Sequence, residues 1–325
     1  MEGFISPEAV EVAVLAVLGG ASLEETAAGA PMAVAALRDA MEAYRAAGAA
    51  ALEARQGGWY QVHVEFPDWP SAEQAAVTRL WPVMRDAEAA GIISQWWYIR
   101  KAPCWRLRCR PGANTTFREM ASVVAKALDS LIAERVIVRW RETVYEAETY
   151  AFGGSVSMDV AHRLFHHDSR NVLGYLARQD HGHLLGRRET SILLCSVLLR
   201  GAAQEWGEQG DVWARVAEMR AGETGGEPSE QVGCLAPALR RLMTTDTNAD
   251  VLTGDGGPLA FLAEWAHAFH RAGAELGQLS RDGGLGRGLR GVLGRHVVFH
   301  WNRLGVPIQD QTVLAWAARV AAHGT

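Results

Sequence analysis

Lysine is nearly missing from this 325-residue chain. It occurs only at Lys101 and Lys126, so arginine supplies almost all of the 32 positive charges. Arginine is also the better fork for carboxylates. The formal net charge is −5, so the surface as a whole does not call for nucleic acid. The four cysteines (Cys104, Cys109, Cys195, Cys234) form no CxxC pair. They read as buried free thiols in a reducing cytoplasm. The first residues, MEGFISPEAVEV, carry no basic stretch of the kind that opens a secretory signal. The longest early apolar run, VAVLAVL, is too short to span a bilayer. The expectation is a soluble cytoplasmic protein. There is no internal repeat and no low-complexity tract.

What is present changes texture along the chain. Residues 7–55 have helical spacing, with starts at Ser6-Pro7-Glu8, at Ser22-Leu23-Glu24-Glu25 and near Pro31. This gives an N-terminal helical module over 1–57, closed by Gly57-Gly58. From Trp59 the pattern alternates: Trp59, Gln61, His63 and Glu65 interleave with Tyr60, Val62, Val64 and Phe66, a period of two that predicts a strand. An amphipathic helix follows over 71–90. ISQWWYIR and CWRLRCR then read as paired strands, 115–132 as a helix and RVIVRWRETVYE (135–146) as a further strand. This order is a ferredoxin-like split unit. Helices are expected at 157–178, 187–205, 211–218, 235–243, 258–278, 284–302 and 309–322, with polar loops at 219–231 and 245–257. The fold class is α+β, with a second domain over 58–325.

Four polar clusters stand out among the apolar elements: WWYIRKAPCWRLRCRPG (96–112), VYEAETYAFGG (144–154), MDVAHRLFHHDS (158–169) and HVVFHWNRLG (296–305). Arg106 and Arg108 are two apart on a strand and share one face, with Trp105 and Leu107 on the other. Two guanidiniums on one face repel unless an anion or a carboxylate partner is there. Glu148 reads either as a site acid or as a solvated loop residue. His300 reads either as a site base or as a hydrogen-bonded core histidine, with Asn302-Arg303 ending a helix and Gly305 as its stop. His162 and His166 are four apart, and His181-Gly182-His183 follows. Cysteines or an HExxH glutamate are lacking, which argues against zinc. GGLGRGLRG (283–291) lacks the GK[ST] ending of a phosphate loop and reads as a helix entry.

Taken together and in order, these clusters resemble the C-terminal elimination domain of class I lantibiotic dehydratases. That domain also occurs as stand-alone thiopeptide-type bacteriocin biosynthesis proteins. The resemblance covers roughly 59–325. It implies removal of glutamate from glutamylated Ser or Thr of a ribosomal precursor peptide, leaving dehydroalanine or dehydrobutyrine. Catalytic roles would fall to Arg106, Arg108, Glu148 and His300, and substrate contacts to Arg303, Asn302, Trp105 and Arg100. Asp168-Ser169 would be structural. No cofactor, metal, nucleic acid or membrane is implied. The expected partners are the precursor peptide (leader plus core), a separate glutamyl-tRNA-dependent glutamylating subunit and a possible second copy of the chain. The N-terminal helices are expected to help hold the leader.

One position departs from the pattern: Ala151 stands where the family often has arginine. This keeps a second enzyme open, the thiopeptide pyridine synthases. These resemble the same domain but join two dehydroalanines in a formal aza-[4+2] cycloaddition with loss of water and leader. A non-catalytic precursor-binding protein is the third reading.

Overall fold

The computed structural model of the chain describes residues 6–56, 58–178, 185–224, 229–246, 257 and 259–324. It divides into two units, residues 1–59 and 60–325. In the first, α1 (Pro7–Leu18) starts at Ser6, whose hydroxyl accepts from the Ala9 amide, with Pro7 in the first turn. Ser22 caps α2 (Leu23–Gly29) through the Glu25 amide. Together with α3 (Val34–Gln56), these helices bury a small apolar cluster of Ala13, Val14, Ala27 and Leu37.

The second unit opens with a four-stranded antiparallel sheet. Its strands are β1 (Tyr60–Glu65), β2 (Ile93–Lys101), β3 (Cys104–Pro111) and β4 (Arg139–Thr143). Their order, β2-β3-β1-β4, is that of a ferredoxin-like unit, as the sequence predicts. Between β1 and β2 runs a helix of three parts: α4 (Ala72–Ala75), a π-helical turn (Ala76–Leu80) and α5 (Trp81–Ala89). Between β3 and β4 lies α6 (Phe117–Ala133), started by a Thr116/Glu119 capping box.

Strand alternation sorts the sheet into two unlike faces. One carries Tyr60, Val62, Val64, Trp96, Tyr98, Trp105, Leu107 and Cys109, all buried. These pack toward the helices: Tyr60 against Phe117, Cys109 against Met84, and the Trp96 indole donating to Glu88. The other face carries Gln61, His63, Trp97, Arg106, Arg108 and Arg141, in register across the strands.

The remaining helices are α7 (Ser155–Ala177), α8 (Arg187–Gly201), α9 (Trp206–Thr224), α10 (Ser229–Met243), α11 (Ala263–Arg281), α12 (Leu289–Leu304) and α13 (Ile308–His323). Among the described residues no helix is long and apolar enough to cross a membrane. The edge of β2 is covered rather than open. Its Trp96 amide donates to His166 Nδ1 (3.2 Å) and its Tyr98 amide to Ser169 Oγ (3.2 Å), both on α7. Arg303 Nε of α12 donates to the Tyr98 carbonyl (3.1 Å). Side chains thus satisfy an edge that would otherwise be a template for pairing.

Several boundaries differ from the sequence expectation. The last strand covers only 139–143 of the predicted 135–146. Before it, Arg135 takes a left-handed conformation (φ 59°) and the Val136 amide closes the end of α6 on the Leu131 carbonyl (2.9 Å). After it, Tyr145 turns inward to meet His162. α9 is far longer than the predicted 211–218 and α10 starts at Ser229, so 219–224 and 229–231 of the loop expected over 219–231 are helical, and 225–228 lie outside the described residues. Most of the loop expected at 245–257 lies outside the described residues. α12 begins at Leu289 rather than 284, because the glycine-rich stretch before it bends to let the Gly286 amide donate to the Gly153 carbonyl (2.8 Å). Of the four thiols, Cys109 and Cys195 are buried as expected, Cys104 is half-buried and Cys234 is exposed.

α8 and α11 cross at glycine. A Cβ on Gly273 would stand 2.2 Å from the Leu198 carbonyl oxygen, a backbone atom that cannot swing aside. Gly273→Ala should therefore destabilise the protein by about 1–3 kcal/mol or more in urea titration. Gly222→Ala in α9, with open space around it, should be neutral or stabilising by up to about 1 kcal/mol. Equal effects of the two would disprove the close crossing.

Candidate functional site

Arg108 is the centre of the polar face. It is buried, its Nε donates to Gln61 Oε1 (2.6 Å), and its guanidinium lies over the rings of Trp97 (4.0 Å) and Tyr145 (4.6 Å). Its Nη1 is buried without a hydrogen-bond partner. Burial pushes its pKa down to about 10, further lowered by Arg106 and Arg303 and opposed by Tyr145 and Glu148. The tyrosine hydroxyl beside it meets His162 Nε2 (2.8 Å). Burial, then the nearby Arg108 and Arg110, push His162 down to about 3, so the ring is neutral.

Glu148 sits exposed in the turn that joins β4 to α7, within electrostatic reach of Arg108 and Tyr145. Gly153 and Gly154, with φ of 89° and 119°, end that turn and start α7. A side chain at either would be strained. Ala151, half-buried in the same turn, supplies no charge; beside it the Arg287 guanidinium lies over the Tyr150 ring at 5.9 Å.

Behind Trp97 lies a second, fully enclosed cluster. Asp168 accepts from His300 Nδ1 (2.9 Å), from the Trp265 indole (2.8 Å) and from Arg303 Nη1. Asp168, His300 and Arg303 are each about 1% exposed. Burial alone would raise the Asp168 pKa, but His300 and Arg303 outweigh it and hold the carboxyl below its ordinary range. Because a carboxylate only accepts, His300 Nδ1 must carry the hydrogen. The other nitrogen, Nε2, is buried without a hydrogen-bond partner. Trp265 and Phe269 stand edge-on to the imidazole. Arg303 also lies over Phe165 (4.7 Å) and Trp97 (5.9 Å). Trp97 is thus within reach of both guanidiniums, Arg108 at 4.0 Å and Arg303 at 5.9 Å.

Three of the four residues expected to meet in one pocket, Glu148, Arg108 and His300, instead follow one another from the surface inward. Glu148 is at the surface, Arg108 beneath it, and Arg303 and Asp168 connect onward to His300 in the core. Arg106 stands apart, half-buried in a cavity of about 220 Å³ that it shares with His63, Arg141 and Trp140. The expected substrate contacts are mostly spent on packing. Trp105 is buried on the opposite face, stacked on Tyr98 at 4.6 Å. Arg100 pairs with Glu73 (2.6 Å) and donates to the Arg303 carbonyl. Asn302 accepts from Arg220 and Gln311 on the far side of α12. Among the described residues no group of three potential metal ligands converges. His181 and His183 lie outside them.

Sequence reasoning gave Asp168 a structural place without its partners, weighed His162 only as a metal ligand, and did not single out Tyr145, His63 or Arg141. The alternation of Gln61 and His63 opposite apolar residues was the available signal for the polar face. Nothing in the spacing pairs Asp168 with His300, which lie 132 residues apart.

A family model described as lantibiotic biosynthesis dehydratase C-term matches residues 59–322. No curated protein matches the sequence. Among solved structures the chain is similar to the tRNA-dependent lantibiotic dehydratase MibB from Microbispora sp. 107891, with TM-score 0.62 and 17% identity over 82% of this chain. It spans only 28% of MibB's length. It is also similar to TsrL (TM-score 0.53, 15% identity, 81% of this chain and 93% of that one). A third likeness is to TbtD, a pyridine synthase from thiomuracin biosynthesis (TM-score 0.51, 12% identity, 81% and 97%). At these identities the likeness is one of fold.

Removing one member of a buried ion pair leaves the other charge uncompensated. Asp168→Asn should therefore cost about 3–5 kcal/mol in urea titration, whereas Glu65→Gln, which breaks the exposed pair with Arg139, should cost less than about 1 kcal/mol. A loss at Asp168 no larger than at Glu65 would remove Asp168 from its central place.

His296, like His162, is buried and neutral. Burial, then Arg303, push it down to about 3 from an ordinary 6.5, against Asp168. The unfolded chain therefore binds more protons than the folded one below pH 6.5. Stability should fall as pH is lowered from 6.5 toward 3. His296→Phe, placed among Phe152 and Phe165, should flatten that decline in thermal melts across this range. An unchanged slope would mean that His296 titrates normally.

Proposed function

The chain belongs to the lantibiotic biosynthesis dehydratase C-terminal family, and on that premise we propose that it eliminates glutamate from glutamylated Ser or Thr of a ribosomal precursor peptide. The observation that carries this reading is the polar sheet face. Arg106 and Arg108 share it without a carboxylate hydrogen-bonded to either, with Glu148 at the surface nearby. Such a face suits a substrate that brings its own carboxylate.

In this reaction a base removes the α-proton of the modified residue. The enolate collapses, the bond from Cβ to the ester oxygen breaks, and glutamate departs as a carboxylate, leaving a Cα=Cβ double bond. Cations stabilise both the enolate and the leaving group. Arg106 and Arg108 hold the glutamyl group, and Glu148 orients an arginine or the glutamyl ammonium. His300, its Nδ1–H fixed by Asp168, offers Nε2 as the base. The ester comes from a glutamyl-tRNA-dependent glutamylating subunit, and the leader of the peptide is held in part by the N-terminal helices, residues 1–57. A homodimer fits this reading.

A pyridine synthase is the second reading. It is favoured by Ala151, which removes a positive charge from the expected elimination set. The third, a precursor-binding protein without activity, requires binding with no mass change.

Mass spectrometry of a glutamylated precursor peptide incubated with the protein should show loss of glutamate. Glu148→Ala and His300→Gln should leave the adduct attached, with rates down by about 100-fold or more. Circular dichroism must show the His300 variant folded, since that side chain is also part of the core. An unchanged peptide with the parent protein, but cyclisation of an azole-bearing peptide containing two dehydroalanines, would overturn elimination in favour of the second reading.

A further inference from the structure

The uncovered corner of the polar sheet face is built around three residues in one row. Arg106 on β3, His63 on β1 and Arg141 on β4 are direct register partners across three strands. Strand spacing sets the two arginine backbones about 10 Å apart, with His63 between them. The row above holds Glu65, which is paired with Arg139 (2.7 Å). Glu65 is the one carboxylate that the strands contribute to this face; Glu142, on β4, lies on the other. No carboxylate is paired with Arg106 or Arg141 among the described residues; the one polar contact seen is Arg141 Nη2 to His63 Nδ1 at 3.4 Å. A cavity of about 220 Å³ opens over the row, rimmed by Lys101 and Arg139.

Like charges held side by side repel, and natural sheets usually intersperse acids among them. Here the strands hold Lys101, Arg106, Arg108, Arg139 and Arg141 on one face against a single paired glutamate. Burial, then Arg106, Arg141 and Arg108, push the His63 pKa down. The His63 ring is thus a built-in reporter of the charge above it.

We propose that Arg106, His63 and Arg141 form a carboxylate-binding subsite, in which Arg141 and His63 are substrate-positioning residues not foreshadowed by the strand arginines alone. The proposal deepens the elimination reading and rests on it for the identity of the ligand, the free side-chain carboxylate of the glutamyl ester. The geometry fits equally a carboxylate from an acidic stretch of the same peptide, so the test separates the two sources. Arg106 and Arg141 would close on the carboxylate from opposite sides, each donating to it, while the imidazole of His63 lines the floor. Arginine suits this role because its planar fork reads a carboxylate in two hydrogen bonds.

The test is direct binding, read by the His63 ring proton shift in NMR and by calorimetry on the full chain. Three synthetic probes are used: an O-glutamyl serine peptide, its neutral O-glutaminyl analogue and a penta-glutamate peptide. A bound carboxylate neutralises the arginines and must raise the His63 pKa. The expected result is that the O-glutamyl peptide binds and raises it, and that the neutral analogue does neither. Arg141→Ala should weaken binding by about tenfold or more, and Arg141→Lys should restore part of it. Binding of penta-glutamate alone, with the same dependence on Arg141, would keep the carboxylate site and assign it to an acidic stretch of the peptide, apart from the elimination reading. No shift of His63 with either acidic probe, or equal affinity of the Arg141→Ala variant, would overturn the proposal even if elimination itself is observed.

Discussion

The buried Asp168 carboxylate is the constraint on which the second unit depends. It sits on α7 and takes hydrogen bonds from α11 through Trp265 and from α12 through His300 and Arg303. Arg303 passes the connection to the sheet, donating to the Tyr98 carbonyl on the edge of β2. One carboxylate therefore ties three helices and a strand edge together. A charge in this position is costly to bury, and it persists only because the Arg303 guanidinium, the His300 N–H and an indole compensate it. Its neighbours on the same helix, His166 and Ser169, finish the work by satisfying the β2 amides. The amides of that edge are closed by side chains of one helix, spaced one turn apart, and its Tyr98 carbonyl by Arg303 of α12.

That arrangement also decides which part of the polar face is available. Where α7 and the turn after β4 cover the sheet, Arg108 is enclosed by Trp97, Tyr145 and His162. Beyond them the sheet is bare, and Arg106, His63 and Arg141 face the open corner. The same strand arginines thus live in two environments, one dry and aromatic, one wet and cationic. A charge in the first is sensitive to the field of its neighbours, whereas the second is poised for exchange with solvent and solute.

The sheet and the helices were legible because their signals are local. Period-two alternation in β1, the paired runs of β2 and β3, and the capping sequence before α6 announce themselves within a few residues. The split order of the strands followed from their sequence order alone. The π-helical turn at 76–80 left no such trace, since its i to i+5 pattern belongs to no simple residue preference. The shortening of β4 was hidden because Tyr145 leaves the strand for a partner on α7, a tertiary attraction that local propensity does not encode. The candidate site was half legible. The residues were singled out, but their grouping was not: nothing local to His300 announces Asp168, 132 residues away, which fixes its Nδ1–H.

The scarcity of lysine gains a physical meaning at Arg108. Burial brings its pKa from 12.5 down to about 10, still well above neutrality, so the side chain stays charged among aromatic rings. The same burial acting on a lysine, whose ordinary value is already lower, would push it further toward deprotonation. An ammonium also lacks the planar face that lies over Trp97 and Tyr145, and it is more strongly hydrated. A lysine in this position would trade a permanent cation for a titrating one and lose the stacking that keeps it there. For a face proposed to attract and hold carboxylates, arginine is therefore not an interchangeable basic residue. It is the side chain that can stay charged after the water is removed.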